Sequence, residues 1–198
     1  MAYIGKVPTA VPLSSADIED GTIQLADLSA TGTKDATTFL RGDNTFAEAG
    51  GGVNTPSFMA YISADQTITN ATFIKAQFNT EVFDIGGCYD NVTNYRFTPN
   101  VAGKYMIFSN LQMELSDYQI YQVQTLIKKN GSDYTNTKVV TNASVLFSIH
   151  APIQHIIEFN GTTDYVEIFG YMERHASTGN KFENGVKASF FGGYKIIE

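Results

Sequence analysis

The chain has 198 residues, a formal net charge of −7 and a single cysteine, Cys88. Because the lysines and arginines are scattered and form no basic run, we expect neither a nucleic-acid partner nor docking on anionic lipid. One cysteine cannot close an intrachain disulfide, which fits synthesis in a reducing cytosol. No stretch has the roughly 20 consecutive apolar residues of a membrane span, and prolines interrupt the apolar start, which argues against a secretory signal.

The first 30 residues are predicted to be an extended attachment segment. Pro8 and Pro12 disfavour a helix at the start, and Asp20-Gly21 ends any helical turn that Ser14 begins. The following apolar residues are too few for a monomeric core, so we expect copies of the chain to meet here along an axis. A disordered tail is the alternative that composition leaves open.

Residues 31–52 form a short module and a glycine hinge. The run TFLRGDNTFA, residues 38–47, resembles a module found in bacteriophage tail and fibre proteins. Gly42 and Asn44 suit a tight turn, and Phe39, Leu40 and Phe46 are expected to pack against the same residues of neighbouring chains as a stalk. The enclosed Arg-Gly-Asp tripeptide is also an integrin-adhesion sequence, but turn chemistry explains it without a receptor.

Residues 53–198 are predicted to fold as an all-β domain. All but three of the phenylalanines and tyrosines follow the glycine run at 50–52, which supplies enough large apolar side chains for a sandwich core. Turn signals recur every 8 to 15 residues, the spacing of a β-sandwich. We predict strands at Ser57–Ser63, Ala71–Asn79, Tyr95–Thr98, Gly103–Glu114, Ile120–Lys129, Thr137–Val140, Val145–His150, Ile153–Phe159, Tyr165–Glu173 and Lys187–Ile197.

Three blocks in this region resemble the globular head of the first complement component and, more distantly, the tumour necrosis factor jelly roll. They are residues 89–105 (YDNVTNYRFTPNVAGKY), 159–166 (FNGTTDYV) and 189–194 (SFFGGY). The chain departs from the family by one extra residue between Thr93 and Phe97, and by Thr163 in place of a glycine. The resemblance implies a jelly-roll β-sandwich whose closing strand runs through the middle of the inner sheet, with three copies packed around a threefold axis.

The strand patterns independently predict that apolar side chains are buried on both faces of a sheet. In Gly103–Glu114, apolar side chains point to both faces, and the closing strand is equally aromatic. A single sandwich hides one face of each sheet, so the surplus predicts a subunit interface, against the alternative of ordinary exposed apolar residues on a monomer. The candidates for core or trimer interface are Phe58, Tyr61, Tyr105, Phe108, Tyr165, Phe169, Phe190 and Tyr194.

No constellation of residues predicts catalysis, a metal or a cofactor. His150 and His155 flank Pro152 with a spacing of five, which suits neither one strand face nor one helical turn. The aspartates occupy turn contexts, and Cys88 has no flanking histidine. Loops at one end of a sandwich usually carry recognition, so candidate receptor contacts are Asn91, Lys129, Tyr134 and His175.

The favoured interpretation is a non-enzymatic, homotrimeric bacteriophage fibre or spike. It would assemble in the bacterial cytoplasm, attach to tail, portal or capsid proteins through residues 1–30, and expose the jelly-roll head outside the particle. The head would bind a host surface glycan or protein through multivalent weak contacts. The alternatives are a capsid head fibre or decoration protein without a receptor role, and a surface-polysaccharide depolymerase, which would require a carboxylate pair.

Overall fold

A computed structural model describes residues 29–48, 53–115, 120–141, 146–174 and 179–196. Within these ranges every regular element is a β-strand. No helix there has the length and apolarity of a bilayer crossing. The chain divides into two compact units, one ending at Gly51 and one beginning at Gly52. The predicted attachment segment lies outside the described residues, apart from its last two positions.

Fifteen strands are described in chain order. They are β1 (Thr38–Leu40), β2 (Phe46–Glu48), β3 (Ser57–Tyr61), β4 (Gln66–Thr67), β5 (Ile74–Lys75), β6 (Thr80–Ile85), β7 (Tyr89–Asp90), β8 (Arg96–Phe97), β9 (Gly103–Glu114), β10 (Ile120–Lys129), β11 (Ser132–Val140), β12 (Ser148–Phe159), β13 (Val166–Arg174), β14 (Lys181–Phe182) and β15 (Phe190–Lys195).

The first unit contains an antiparallel hairpin of β1 and β2. A preceding segment lies beside it, because the Phe46 amide donates to the Thr31 carbonyl at 2.7 Å. Gly32 has a positive φ of 95°, and a Cβ there would lie 2.1 Å from the Phe46 carbonyl oxygen. Only glycine permits this close approach of two backbones.

The second unit is a sandwich of two sheets. The seven-stranded sheet has the order β4-β14-β9-β15-β3-β6, with β12 paired to β9. The six-stranded sheet has the order β11-β10-β13-β8-β7, with β5 paired to β13. The predicted all-β sandwich is confirmed. Its closing strand, β15, lies between β9 and β3, inside the seven-stranded sheet.

The core between the sheets is built around Phe58. Its ring centroid lies 4.4 Å from that of Phe97, 4.7 Å from Tyr89 and 4.8 Å from Phe191. All four side chains are buried, and burying one such side chain contributes about 1.5 to 3 kcal/mol. The Tyr89 hydroxyl donates to the Phe78 carbonyl at 3.0 Å, and burial raises the pKa of that phenol. Residues 89–108 contribute β7 and β8 to the six-stranded sheet and the first half of β9 to the seven-stranded sheet.

The predicted break at Pro152 is wrong, since β12 runs without interruption from Ser148 to Phe159. Proline has no N–H to donate, and a central strand is hydrogen-bonded to a neighbouring strand on each side. β12 is an edge strand that pairs only with β9. Edge strands tolerate proline, so the ladder continues on both sides of the Pro152–Asn110 pair. The strand predicted at 137–140 also begins earlier, at Ser132.

The strand predicted at 71–79 is also wrong for most of its length. Only Ile74 and Lys75 form a ladder with β13. The Ala71 and Ala76 amides add single backbone hydrogen bonds to Met172 and Ile168 of that strand, at 2.8 and 2.9 Å. The Gln66 side chain takes the place of a strand partner: its amide donates to the Lys75 carbonyl at 2.8 Å and its oxygen accepts from the Gln77 amide at 2.9 Å. The ladder forms instead at β6, which was not predicted.

The two ends of the sandwich differ in which loops they hold. We call the end of the sandwich where β3 begins the near end. Ser57 pairs with Tyr194 there. The Lys129 ammonium, at the end of β10, donates to the Glu158 carbonyl at the same end, at 2.7 Å. At the far end, Ile120 pairs with Arg174 and its amide donates to the Leu146 carbonyl at 3.2 Å. The registers therefore place the β10–β11 turn at the near end.

Candidate functional site

The outer surface of the seven-stranded sheet presents three rows of residues. Each row contains one residue from each of five adjacent strands. Alternate residues of these strands point into the core, so those between them face outward. Reading across β12, β9, β15, β3 and β6, the rows are Ile156-Met106-Tyr194-Ser57-Ile85, Gln154-Phe108-Gly192-Met59-Phe83 and Pro152-Asn110-Phe190-Tyr61-Thr80. None of these positions holds Asp, Glu, Lys or Arg. We call this surface the uncharged face.

The uncharged face exposes large apolar side chains. Ile85 is 53% exposed, Ile156 48% and Phe83 42%. With strands about 4.8 Å apart and outward residues about 6.8 Å apart, the three rows cover roughly 500 Å². Exposed apolar side chains grouped on a surface of this size are typical of an interaction surface.

The two sides of the uncharged face differ. Beside Phe108 and Phe190, a pocket of about 490 Å³ is lined also by Pro152 and Gln154. At the opposite edge, β6 carries the exposed side chain of Phe83. The face thus has a pocket on one side and exposed apolar side chains on the other.

The outer surface of the six-stranded sheet is different, because charged side chains of the same chain cover its central ring, Phe169. Lys75 forms an ion pair with Glu167, and Lys128 Nζ lies 3.1 Å from Asp133. Both lysines lie over the Phe169 ring, with Nζ 5.8 and 4.9 Å from its centroid. The part of the surface around Phe169 is therefore covered by its own chain.

The candidates for core or interface divide among three places. Phe58 and Tyr105 lie in the core, Tyr61, Phe108, Phe190 and Tyr194 lie on the uncharged face, and Tyr165 and Phe169 belong to the six-stranded side. The guanidinium of Arg96 lies 4.5 Å from the Tyr165 ring centroid. Tyr165 and Phe169 are therefore covered by cations of their own chain and lie away from the uncharged face.

The stalk candidates lie in the β1–β2 hairpin. The turn closes where the Asn44 amide donates to the Arg41 carbonyl at 3.0 Å, and Asn44 has a φ of 62°. Phe39 is 60% exposed and Leu40 48% exposed, whereas Phe46 is half-buried. The hairpin therefore leaves two large apolar side chains uncovered, and Gly42 lies in its turn.

The Arg-Gly-Asp tripeptide lies in this same turn. The Asp43 carboxylate accepts from the Thr45 amide at 3.1 Å and from its hydroxyl at 2.6 Å. The Thr45 hydroxyl is the main cause that lowers the pKa of Asp43. The carboxylate thus stabilises the turn, as the sequence interpretation proposes.

The candidate receptor contacts do not form one cluster among the described residues. Lys129 and Tyr134 flank the β10–β11 turn at the near end, and Lys129 Nζ lies 3.0 Å from Asp164. Asn91 lies in the turn after β7, at the opposite edge of the sheet from β11. His175 lies outside the described residues.

Carboxylates gather around one lysine at the end of β14. Lys181 Nζ lies 2.7 Å from Asp65, 3.3 Å from Glu114 and 2.6 Å from Glu183. The hydrogen bond from Lys181 is the main cause that lowers the pKa of Asp65, and the same contact raises the pKa of Lys181. This arrangement favours an ionised carboxylate, which is the wrong state for a general acid.

His150, His155 and Cys88 have structural surroundings. His150 and His155 point to opposite faces of β12: His150 Nδ1 lies 2.8 Å from Asn110 Nδ2, and the His155 ring packs edge-on against Tyr134 at 5.3 Å. Burial raises the pKa of the Cys88 thiol, which donates to the Gly86 carbonyl at 3.3 Å. Among the described residues, no group of three or more His, Cys, Asp or Glu side chains is arranged to hold a metal ion.

The sequence interpretation missed the contribution of β6 to the uncharged face. Phe83 and Ile85 alternate with Asp84, whose carboxylate accepts from the Cys88 and Tyr89 amides at 3.1 and 3.0 Å. The alternation Phe-Asp-Ile is a period-two signal that predicts a strand.

Solved structures share this fold. The globular domain of zebrafish complement 1qA protein is similar with a TM-score of 0.52 and 15% identity, over 73% of this chain and 99% of that chain. Murine APRIL, at pH 8.0, is similar with a TM-score of 0.52 and 10% identity, over 71% and 98%. No protein-family model matches the chain, and no curated protein does. At these identities the likeness shows the fold alone.

The second unit is a jelly-roll β-sandwich. The resemblance predicted from residues 89–105, 159–166 and 189–194 is thus confirmed for the fold.

Proposed function

We propose that this chain is a homotrimeric structural protein of a bacteriophage fibre or spike, with a jelly-roll head that contacts the host surface. The observation that carries the assembly is the uncharged face, which exposes Ile85, Phe83 and Ile156 around the half-buried rings of Phe108 and Phe190. The virion assignment is supported by the resemblance of residues 38–47 to phage tail and fibre modules.

A threefold ring requires two different patches on each subunit, because every contact in a cyclic trimer joins one surface to another. The pocket beside Phe108 and the exposed edge strand at Phe83 are two such patches. Interface centres are depleted in charged residues and enriched in aromatic residues and methionine. The three rows have this composition, with Met59 and Met106 among their aromatic rings.

The host-binding role follows from the arrangement of the chain in the proposal. Residues 1–30 attach to the particle, the hairpin module forms the stalk, and three heads point outward. Several weak contacts per fibre combine into tight adsorption, since linked sites bind at a high effective concentration. No single tight site is required.

The first test is the oligomeric state in solution. Light scattering is expected to give three times the chain mass of 21.7 kDa. Ile156→Glu places a charge on the uncharged face and should leave monomers, because an unpaired charge is costly to bury. The matched control is Val140→Glu on β11: Val140 is 51% exposed and Ile156 48%, and Val140 lies on the other sheet. A monomeric parent chain, or a trimeric Ile156→Glu variant, contradicts the assembly.

The second test separates a receptor role from the alternatives. The purified chain should block adsorption of the phage that carries it, whereas a decoration protein would not. Incubation with host surface polysaccharide should release no reducing sugar. Release of sugar would favour a depolymerase and contradict the proposal.

A further inference from the structure

A shallow groove crosses the outer surface of the six-stranded sheet. It has a volume of about 310 Å³ and lies where β10 and β11 meet the segment before β5. Its lining includes Phe73, Gln124, Leu126, Asp133, Tyr134 and Asn136. Phe73 was not among the candidates predicted from the sequence, although it would share one face with Lys75 and Gln77 if 71–79 were extended.

One wall of the groove is an aromatic ring held in place from behind. Phe73 is 38% exposed, and its ring lies 5.1 Å from that of Tyr171, tilted by 44°. Tyr171 is in turn fixed by its hydroxyl, which donates to the Glu173 carboxylate at 3.0 Å. An exposed ring with restricted motion offers contact area at a small entropic cost.

The floor of the groove combines an aliphatic side chain with two amides. Leu126 is buried, with 5% of its surface exposed. The Asn136 amide donates to the Gln124 carbonyl oxygen at 3.0 Å. An amide side chain has two N–H donors and one carbonyl acceptor, so Gln124 keeps its NH₂ group and Asn136 its carbonyl oxygen for a ligand.

The one charge in the groove lining is paired, and Lys138, opposite Gln124 on β11, lies outside the lining. Asp133 is the one carboxylate in the lining, and its partner Lys128 lies on the neighbouring strand with Nζ 3.1 Å away. A charged ligand would find no unmatched opposite charge in this lining. The groove therefore suits a neutral ligand that has an apolar face and several hydroxyls.

We propose that this groove binds a neutral sugar unit of a bacterial surface polysaccharide, with one sugar face against Phe73 and its hydroxyls bonded to Gln124 and Asn136. This inference rests on the proposed function and adds the location and the ligand class. The groove lies on the sheet opposite the uncharged face, so assembly through that face leaves the groove open.

The experiment uses the full chain on an array of bacterial surface polysaccharides that contains neutral and acidic polymers. We expect retention by neutral polymers, and a loss of affinity of about tenfold or more for Phe73→Ala, since the variant removes the ring. Asn136→Ala is a second variant at an exposed position that should weaken binding without affecting folding. The matched control is Phe147→Ala, because Phe147 is 45% exposed but lies outside the groove lining.

The outcomes distinguish the groove from the proposed function. If no polymer on the array is retained, if only acidic polymers are, or if Phe73→Ala and Asn136→Ala both bind as the parent does, the groove assignment is overturned. Adsorption is measured in parallel. A parent chain and a Phe73→Ala variant that block adsorption equally well would leave the receptor role standing and refute the groove, whereas a parent chain that blocks nothing would refute the receptor role itself.

Discussion

Adjacent glycines in β15 offer a way to separate folding from assembly. Gly192 and Gly193 follow each other, so a methyl group added to each would point to opposite sides of the sheet. At Gly193 it would lie 2.7 Å from Ile107 Cδ1 and 3.2 Å from Phe58 Cε1, both in the core. At Gly192 it would lie 2.5 Å from Phe108 Cζ, on the uncharged face, and 3.1 Å from the Phe58 carbonyl oxygen.

The two substitutions therefore differ in cost. Gly193→Ala overpacks a closed core and should reduce the free energy of unfolding by about 1 to 3 kcal/mol. Gly192→Ala displaces the free end of the half-exposed Phe108 ring, which can turn toward solvent. Replacing glycine by alanine also lowers the entropy of the unfolded chain, which stabilises the folded state by about 0.4 to 1 kcal/mol. We expect the isolated Gly192→Ala subunit to lose less than about 1 kcal/mol.

Assembly should respond in the reverse order. The moved Phe108 ring lines the pocket beside Phe190, so Gly192→Ala changes the surface that a neighbouring subunit would meet in the proposed trimer. Urea unfolding at a concentration below trimer dissociation measures the subunit, and light scattering over a dilution series measures assembly. The reasoning is refuted if Gly192→Ala shifts the urea midpoint as far as Gly193→Ala does, or if it leaves the dissociation concentration unchanged.

Two further predictions concern the stretch between β6 and β9. The Asp90 carboxylate accepts from the amides of Thr93, Val92 and Asn94, and the Thr93 amide is the main cause that lowers its pKa to about 2. Because the folded pKa is below the unfolded value of about 3.9, this contribution to stability is present above pH 4 and is lost as the pH falls to about 2. The urea midpoints of the parent chain and Asp90→Asn should converge over that window, and a gap that does not change with pH would contradict this. Cys88 should react with a thiol reagent at least about a hundredfold more slowly in the folded chain than in urea, since burial raises its pKa; equal rates would contradict its burial.

The strands that the sequence predicts best are those whose pairing and patterning agree. The bounds of β9 and β10 were predicted as they stand, at Gly103–Glu114 and Ile120–Lys129. Gly103 has a positive φ of 137°, and a non-glycine residue there would be strained. Local turn chemistry and hydrophobic alternation suffice where both point to the same boundary.

Elements that depend on distant partners were predicted poorly. Pro152 is tolerated because β12 has only one neighbour, and a local pattern does not reveal which strand is at an edge. Residues 71–79 look like a strand, but their backbone groups at Lys75 and Gln77 bond to the Gln66 side chain. Phe73 was not predicted as a site residue, because the groove beside it forms only when β10 and β11 lie next to that segment.

The need for cover on both faces was predicted from composition, but which rings need a partner depends on charge placement. Phe108 and Phe169 are both half-buried phenylalanines on outward positions of long strands. Lysines of the same chain cover Phe169, while the rows around Phe108 contain no charged side chain. Sequence position alone does not tell these two cases apart.

The separation of the two outer faces has a consequence for how such a head can change its ligand. A charge introduced on the uncharged face would be desolvated in the proposed trimer, which costs several kcal/mol unless it finds a partner. A charge introduced at Gln124 or Asn136 would stay in water beside the existing Lys128–Asp133 pair and would cost the fold little. Under the proposed function, the groove can therefore vary with the host surface while the assembling face stays constrained, because the two sets of side chains share no residue.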